Sequence, residues 1–233
     1  MNAIVTGATK GIGRAIVEHL AANNYNVALC ARNKENLENF RVDLAMKYPQ
    51  LNFYGMLTDL ENLSEVKEFA AFADKNLGDI DVMINNAGLF IPSDLINEKE
   101  DTLERQMKVN VFAPHYLSKF FAQKMIRKGV GHIINICSIA SIKPVVSAAS
   151  YSVSKMALFG LTKVLREELL PFGIKVTAIL PGATLTDSWT GTSLPSERFV
   201  DPDDIAGTII TCLKMSPGAN VNEIIIQPLK GDI

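Results

Sequence analysis

The chain is poor in the residues that build disulfide scaffolds, metal centres and membrane spans. Its 233 residues include only three cysteines and three histidines. Three thiols cannot all pair, and Cys30, Cys137 and Cys212 show no metal-ligand spacing. Cys30 and Cys137 fall in apolar, strand-like runs and Cys212 in a late helical pattern, so free buried thiols are expected. His19, His115 and His132 are dispersed, and no metal site is expected. No apolar run approaches the roughly 20 residues that cross a bilayer. The opening Met1-Asn2-Ala3-Ile4-Val5 has no basic stretch or cleavage signature, so a cytoplasmic protein without a membrane partner is expected. Neither sign of charge dominates: a formal charge of −2 gives no electrostatic reason to expect nucleic acid.

What is present describes an ordinary globule, with 48% hydrophobic and 21% charged residues. The length suits one large α/β domain spanning 1–233. Apolar, β-branched runs at Ala3–Val5, Val27–Cys30, Asn52–Met56, Val82–Asn85, His132–Cys137, Lys175–Leu180 and Glu223–Gln227 predict strands. Helical patterns at Ile12–Ala22, Lys34–Lys47, Leu63–Asn76, Lys99–Arg127, Tyr151–Leu170 and Pro202–Met215 fall between them. This alternation predicts a Rossmann-like, doubly wound parallel sheet of about seven strands with helices on both faces. Residues 182–200 are rich in Gly, Pro, Ser and Thr, and predict a short loop with one helical piece, placed where such sheets hold ligands.

The first strand runs into Thr6-Gly7-Ala8-Thr9-Lys10-Gly11-Ile12-Gly13 and then a helix. Glycines there permit a tight turn and close approach of backbone to a pyrophosphate, and the helix N-terminus adds free N–H groups. The second strand ends in Cys30-Ala31-Arg32-Asn33, without the acid that would bond the ribose hydroxyls of NAD. Arg32 and Lys10 instead suit a 2′-phosphate, which an Arg can grip by paired charge-assisted hydrogen bonds. NADP(H) is therefore the expected cofactor.

Tyr151-Ser152-Val153-Ser154-Lys155 opens a helix, placing Tyr151 and Lys155 on one face. A phenol is a poor acid or base near neutrality, and an ammonium nearby favours the phenolate. Lys155 is also within reach of a cofactor ribose. Asn135-Ile136-Cys137-Ser138 ends a strand, setting the Ser138 hydroxyl at the carboxyl edge of the sheet, where it can bond a substrate oxygen.

With these motifs in this order, the whole chain resembles the short-chain dehydrogenase/reductase family. The resemblance implies that Gly7, Gly11 and Gly13, with Thr9 and Ile12 between them, hold the pyrophosphate. It implies that Asp59, in Thr58-Asp59-Leu60, meets adenine. Asn85-Asn86-Ala87-Gly88 would brace the sheet beside the cofactor. Asn110, in Val109-Asn110-Val111, would complete a tetrad with Ser138, Tyr151 and Lys155 by holding a water that links Lys155 to solvent. Pro181-Gly182, with Thr184 and Thr186 beyond, would meet the nicotinamide. A carbonyl would be reduced, or its alcohol oxidised, with Tyr151 as general acid/base.

The chain also departs from the pattern. The segment after Pro181-Gly182 is short, and Trp189 within it either covers the substrate or anchors the loop. The ending Asn222-Glu223-Ile224-Ile225-Ile226-Gln227-Pro228 resembles relatives acting on small hydroxy acids, pterins or other carbonyls, so a small hydroxy acid or ketone stands beside a 3-oxoacyl thioester as substrate. The helix after Lys155, Met156-Ala157-Leu158-Phe159-Gly160-Leu161, is apolar nearly all round, which predicts a homodimer or homotetramer. Two other readings remain open: a non-catalytic NADP-binding regulator, and an epimerase or dehydratase of nucleotide sugars.

Overall fold

The computed structural model describes residues 1–231, so the last two positions of the expected 1–233 domain lie outside them. Among the described residues, seven strands form one parallel sheet in the order β3-β2-β1-β4-β5-β6-β7. The strands are β1 (Asn2–Thr6), β2 (Asn26–Ala31), β3 (Phe53–Leu57), β4 (Val82–Asn85), β5 (Gly131–Ile136), β6 (Ile174–Pro181) and β7 (Glu223–Ile226). The helices between them are α1 (Gly11–Ala22), α2 (Lys34–Lys47), α3 (Leu63–Leu77), α4 (Thr102–Met107), α5 (Ala113–Lys128), α6 (Ala149–Leu169) and α7 (Pro202–Leu213).

Side chains alternate along each strand, and every inner strand feeds both faces. From β1, Ala3 and Val5 pack with Ile16, Leu20, Phe40 and Ile209 of α1, α2 and α7. Ile4 between them packs with Phe69, Leu117 and Phe121 of α3 and α5 on the opposite face. Burial on both sides explains why these strands read as unbroken apolar runs. The edge strands differ: β7 exposes Glu223 and Ile225, and β3 exposes Leu57.

Helix starts follow local chemistry. The side chains of Asn33, Asn62 and Asp201 accept backbone N–H groups at the starts of α2, α3 and α7. Two expectations are corrected. The helix expected over Lys99–Arg127 begins at Thr102 and is broken in register by a π-turn at Lys108–Phe112, which carries Asn110. The helix expected to open at Tyr151 begins two residues earlier, at Ala149. The strand order reverses between β1 and β4, where an open sheet of this kind forms a crevice at its carboxyl edge.

Candidate active site

That crevice is a single cleft of about 1070 Å³. It runs along the carboxyl ends of the strands and is lined by every predicted cofactor residue: Gly7, Thr9, Lys10, Gly11, Ile12, Gly13, Arg32, Asp59, Leu60, Asn86, Ala87, Gly88, Tyr151, Lys155, Pro181, Gly182, Thr184 and Thr186. Ser138 lines it as well. Asn110 does not: it is fully buried behind the wall.

The glycine turn is fixed as much by the protein's own packing as by any ligand. A Cβ on Gly13 would lie 2.1 Å from the Gly7 carbonyl oxygen and 2.4 Å from Asn86 Nδ2. Gly7, at φ +64°, brings its Cα so near Ala87 that a side chain would have no room. Asn86 closes the junction by donating from Nδ2 to the carbonyls of Thr6 and Gly7, each at 2.9 Å. Lys10 caps α1 through its backbone alone, and no acidic residue occupies the first turn, so the positive end of the helix faces the cleft. A long groove with a cation at one end, a helix N-terminus in the middle and a tyrosine–lysine pair at the other fits an extended dinucleotide.

At the adenosine end, Arg32 is exposed just past β2, and Asn33 and Asn36 line the cleft beside it. Those two amides are not among the expected cofactor residues; Asn33 also caps α2, its Oδ1 accepting from the Asn36 N–H at 2.8 Å. Glu61 lies close enough to Arg32 to feel its charge. Its carboxyl is held below the usual carboxylate range, chiefly by hydrogen bonds from Arg105 and further by the charges of Arg105, Arg32 and Lys108. The Arg105 fork grips it at 3.0 and 3.1 Å, so this acid is already paired. Lys10 is tied across the cleft mouth to Asp187 at 2.6 Å. The Asp59 carboxylate accepts from the Glu61 N–H at 3.0 Å.

At the other end, Lys155 is buried and donates to the Ile136 carbonyl at 2.8 Å. Its Nζ sits 5.8 Å from the centre of the Tyr151 ring, one helical turn earlier on the same face of α6. The Phe90 ring stands edge-on to Tyr151 with centroids 4.9 Å apart. The Ser138 hydroxyl accepts from the Ala140 N–H at 3.1 Å at the start of a short turn.

Asn110 ties this end together from behind. Its Oδ1 accepts from the Leu89 N–H at 2.7 Å, and its Nδ2 donates to Leu89 O at 3.0 Å and to Ser154 Oγ at 2.8 Å. Ser154 in turn donates to the Tyr151 carbonyl at 2.8 Å. The π-turn puts an amide where regular helix would not, a device often found at functional sites. A second buried relay runs from Asn85 to Asn135 at 2.8 Å and from Asn135 to Thr162 at 2.8 Å, joining β4, β5 and α6.

Residues 182–200 fold as two short 3₁₀ turns, Asp187–Trp189 and Ser196–Arg198, rather than one. The loop is closed at its base where Leu185 N–H donates to Val200 O and Val200 N–H to Ala183 O, each at 2.9 Å. Trp189 both lines the cleft and packs on Phe199 at 4.9 Å. Burial pushes the Cys30 thiol up to about 12 and the Cys137 thiol up to about 11, which favours the protonated thiol over the nucleophilic thiolate. The described residues hold no group of His, Cys, Asp and Glu able to bind a metal ion, and no helix long and apolar enough to cross a membrane.

Known proteins resemble the chain over nearly its full length. An uncharacterised oxidoreductase of Staphylococcus aureus strain N315 is 35% identical over 228 residues, covering 97% of this chain and 96% of that protein. The fold superposes on an alcohol dehydrogenase from the archaeon Thermococcus sibiricus, complexed with 5-hydroxy-NADP, at TM-score 0.89 and 27% identity, covering 98% of this chain and 96% of the other. A metagenomic short-chain oxidoreductase in complex with NADP superposes at TM-score 0.85 and 30% identity with the same coverage. The family model described as short chain dehydrogenase matches residues 1–195, and with this fold and cleft the chain belongs to that oxidoreductase family.

Proposed function

We propose that the chain is an NADP-dependent oxidoreductase that reduces a carbonyl, or oxidises the corresponding alcohol, with Tyr151 as the proton-transfer residue. The observation that carries this reading is that one cleft is lined both by the glycine turn and by Ser138, Tyr151 and Lys155. Two solved relatives hold NADP or 5-hydroxy-NADP, which agrees with Arg32 and no acid in the Cys30-Ala31-Arg32-Asn33 stretch that ends β2. Arg32 and Lys10 would take the 2′-phosphate, and Asp59 and Leu60 the adenine. The glycine turn would take the pyrophosphate, with Asn86, Ala87 and Gly88 along one side, and Pro181, Gly182, Thr184 and Thr186 the nicotinamide end. A bound nicotinamide supplies or accepts the hydride.

The chain's own residues do the rest. Ser138 Oγ holds the substrate oxygen, and the Tyr151 hydroxyl gives it a proton as the alcohol forms. Lys155 Nζ, 5.8 Å from the centre of the Tyr151 ring, faces the tyrosine as its proton leaves and would bond a ribose hydroxyl. Asn110 positions Tyr151 through Ser154 and holds the backbone at Leu89. Residues 1–233 act as one catalytic domain. Three free thiols suit a reducing compartment such as the cytoplasm. Exposed Val153, Met156 and Val164 form an apolar stripe on α6 that a second subunit would cover, giving a homodimer or homotetramer.

The test is NADPH consumption with ketones, oxoacyl thioesters and hydroxy-acid precursors, for the wild type and Tyr151→Phe. Turnover by the wild type and its near-loss in the variant, with NADPH binding kept, is the expected result. An undiminished rate in Tyr151→Phe would refute the assignment.

A further inference from the structure

Two loops form the outer wall of the cleft at its reacting end, residues 88–99 after β4 and residues 141–148 after β5. They are fastened to each other and to the helix that carries Tyr151. Ser93 and Ala148 form a parallel bridge, and Ala149 N–H donates to Ser93 O at 3.0 Å. Ser150 Oγ donates to Glu98 Oε1 at 2.6 Å, and Val145 N–H donates to Ser152 Oγ at 2.9 Å. This lip is therefore held in a fixed relation to the Tyr151 hydroxyl.

Apolar side chains run along part of it, beside the polar Lys143 and Ser147 that also line the cleft. Phe90 lines the cleft against Tyr151 yet leaves 49% of its surface open to solvent. Pro144 and Val145 line the same cleft. In the same two loops Val146 is 80% exposed and Ile96 is 88% exposed, Ile96 lying between the Ser93–Ala148 and Glu98–Ser150 ties. Isolated exposed apolar residues need no explanation, but a half-exposed aromatic ring set against Tyr151, with Pro144 and Val145 lining the same cleft, does. A small polyol or hydroxy acid would leave all of that surface in water.

Resting on the reductase reading above, we infer that the substrate is a carbonyl compound bearing an apolar chain or ring, which leaves the Ser138–Tyr151 centre across Phe90 and Val145 and lies on the lip made by Val146 and Ile96. In the reduction, hydride from NADPH adds to the carbonyl carbon and the Tyr151 proton goes to the oxygen, leaving a secondary alcohol and NADP⁺. The apolar group is not altered; burying it strengthens binding.

The experiment is a series of methyl ketones from acetone through methyl butyl to methyl octyl ketone, with dihydroxyacetone as the polar comparator. Catalytic efficiency should rise about threefold to fourfold per added methylene until the chain outruns the lip. Val146→Ser combined with Ile96→Ser, both at exposed positions, should flatten the upper part of that series. Trp189, the only tryptophan, lines the cleft, so its fluorescence gives the matching affinities for the alcohol products without turnover. A flat series with measurable turnover would overturn the inference and leave the reductase reading standing. An unchanged slope in the double variant would overturn the placement on this lip. No turnover of any ketone, with Trp189 quenching still graded by chain length, would overturn the reductase reading and support the apolar lip.

Discussion

At the reacting end of the cleft, Lys155 and Asn110 are buried and Tyr151 is braced on one side by Phe90 and on the other by the Asn110–Ser154 link. At the adenosine end, Arg32 and Asn33 are exposed, and Lys10 is held by a surface ion pair with both partners mostly in solvent. The contrast follows from what each end has to do. Proton and hydride transfer depend on atoms held within a fraction of an ångström, which only packed side chains and satisfied hydrogen bonds supply. Phosphate recognition needs charge within reach, and a mobile cation in water meets that need at little cost in stability.

The largest effect should come from the packed end. Lys155→Met keeps the volume and removes the ammonium, so kcat should fall by about 100-fold or more. The melting temperature should move by only a few degrees, because a buried charge replaced by an apolar chain of similar size is often close to neutral. Loss of stability in step with activity would instead make Lys155 a scaffold residue and break the contrast.

Acid sensitivity sharpens it from outside the site. His132, at the opposite end of β5 from Ser138, has its Nε2 2.8 Å from Thr177 Oγ1; because Thr177 donates its own hydrogen to Val221 O, Nε2 is left as the donor of that pair. Burial, and to a lesser degree Lys175, pushes this imidazole down to about 4. Above pH of about 6.5 the group is neutral in both folded and unfolded chains and costs nothing. As pH falls below that value the unfolded chain takes a proton that the folded chain refuses. Stability should therefore drop by about 3 kcal/mol between pH of roughly 6.5 and 4. Urea unfolding across that range, for the wild type and His132→Gln, checks it: the variant should lose about one proton's worth of slope. If the slope is unchanged, the acid loss belongs elsewhere.

At the open end, Arg32→Ala should weaken NADPH binding by about 10-fold to 100-fold, the worth of a hydrogen-bonded charge on phosphate, and leave NADH binding nearly unchanged. Titration calorimetry with both dinucleotides reads the difference, and equal losses would refute a 2′-phosphate role. The smallest effect is expected from Asp187→Asn. An exposed pair contributes about 1 kcal/mol or less, so thermal stability should barely move. A large drop would mean that the Lys10–Asp187 tie fixes the loop far more firmly than its exposure implies.

Much of this was readable from residue order. Unbroken apolar runs identify strands buried on both faces, and the glycine turn leading into a helix locates the crevice. All the expected cofactor residues, with Ser138, Tyr151 and Lys155, line one cleft because they lie in the loops after the strands or the early turns of helices at the same edge of the sheet. What could not be read was set by contacts between distant segments. The π-turn at Asn110 exists because its amide bonds Leu89 and Ser154, 21 and 44 residues away, and helical periodicity holds no trace of that. Glu98 reads as one acid among several before α4, yet it meets Ser150 beside Tyr151. Asn36 reads as a helix surface residue and borders the cleft only because α2 starts at the end of β2.

The most direct test of the central claim is isotope transfer. NADPH carrying deuterium on the transferring face of its nicotinamide, incubated with a methyl ketone and the enzyme, should give the secondary alcohol with deuterium on the carbinol carbon. The Tyr151→Phe variant should give almost none in the same time. Alcohol formed without deuterium on either nicotinamide face, or no alcohol from any carbonyl offered, would contradict hydride transfer in this cleft.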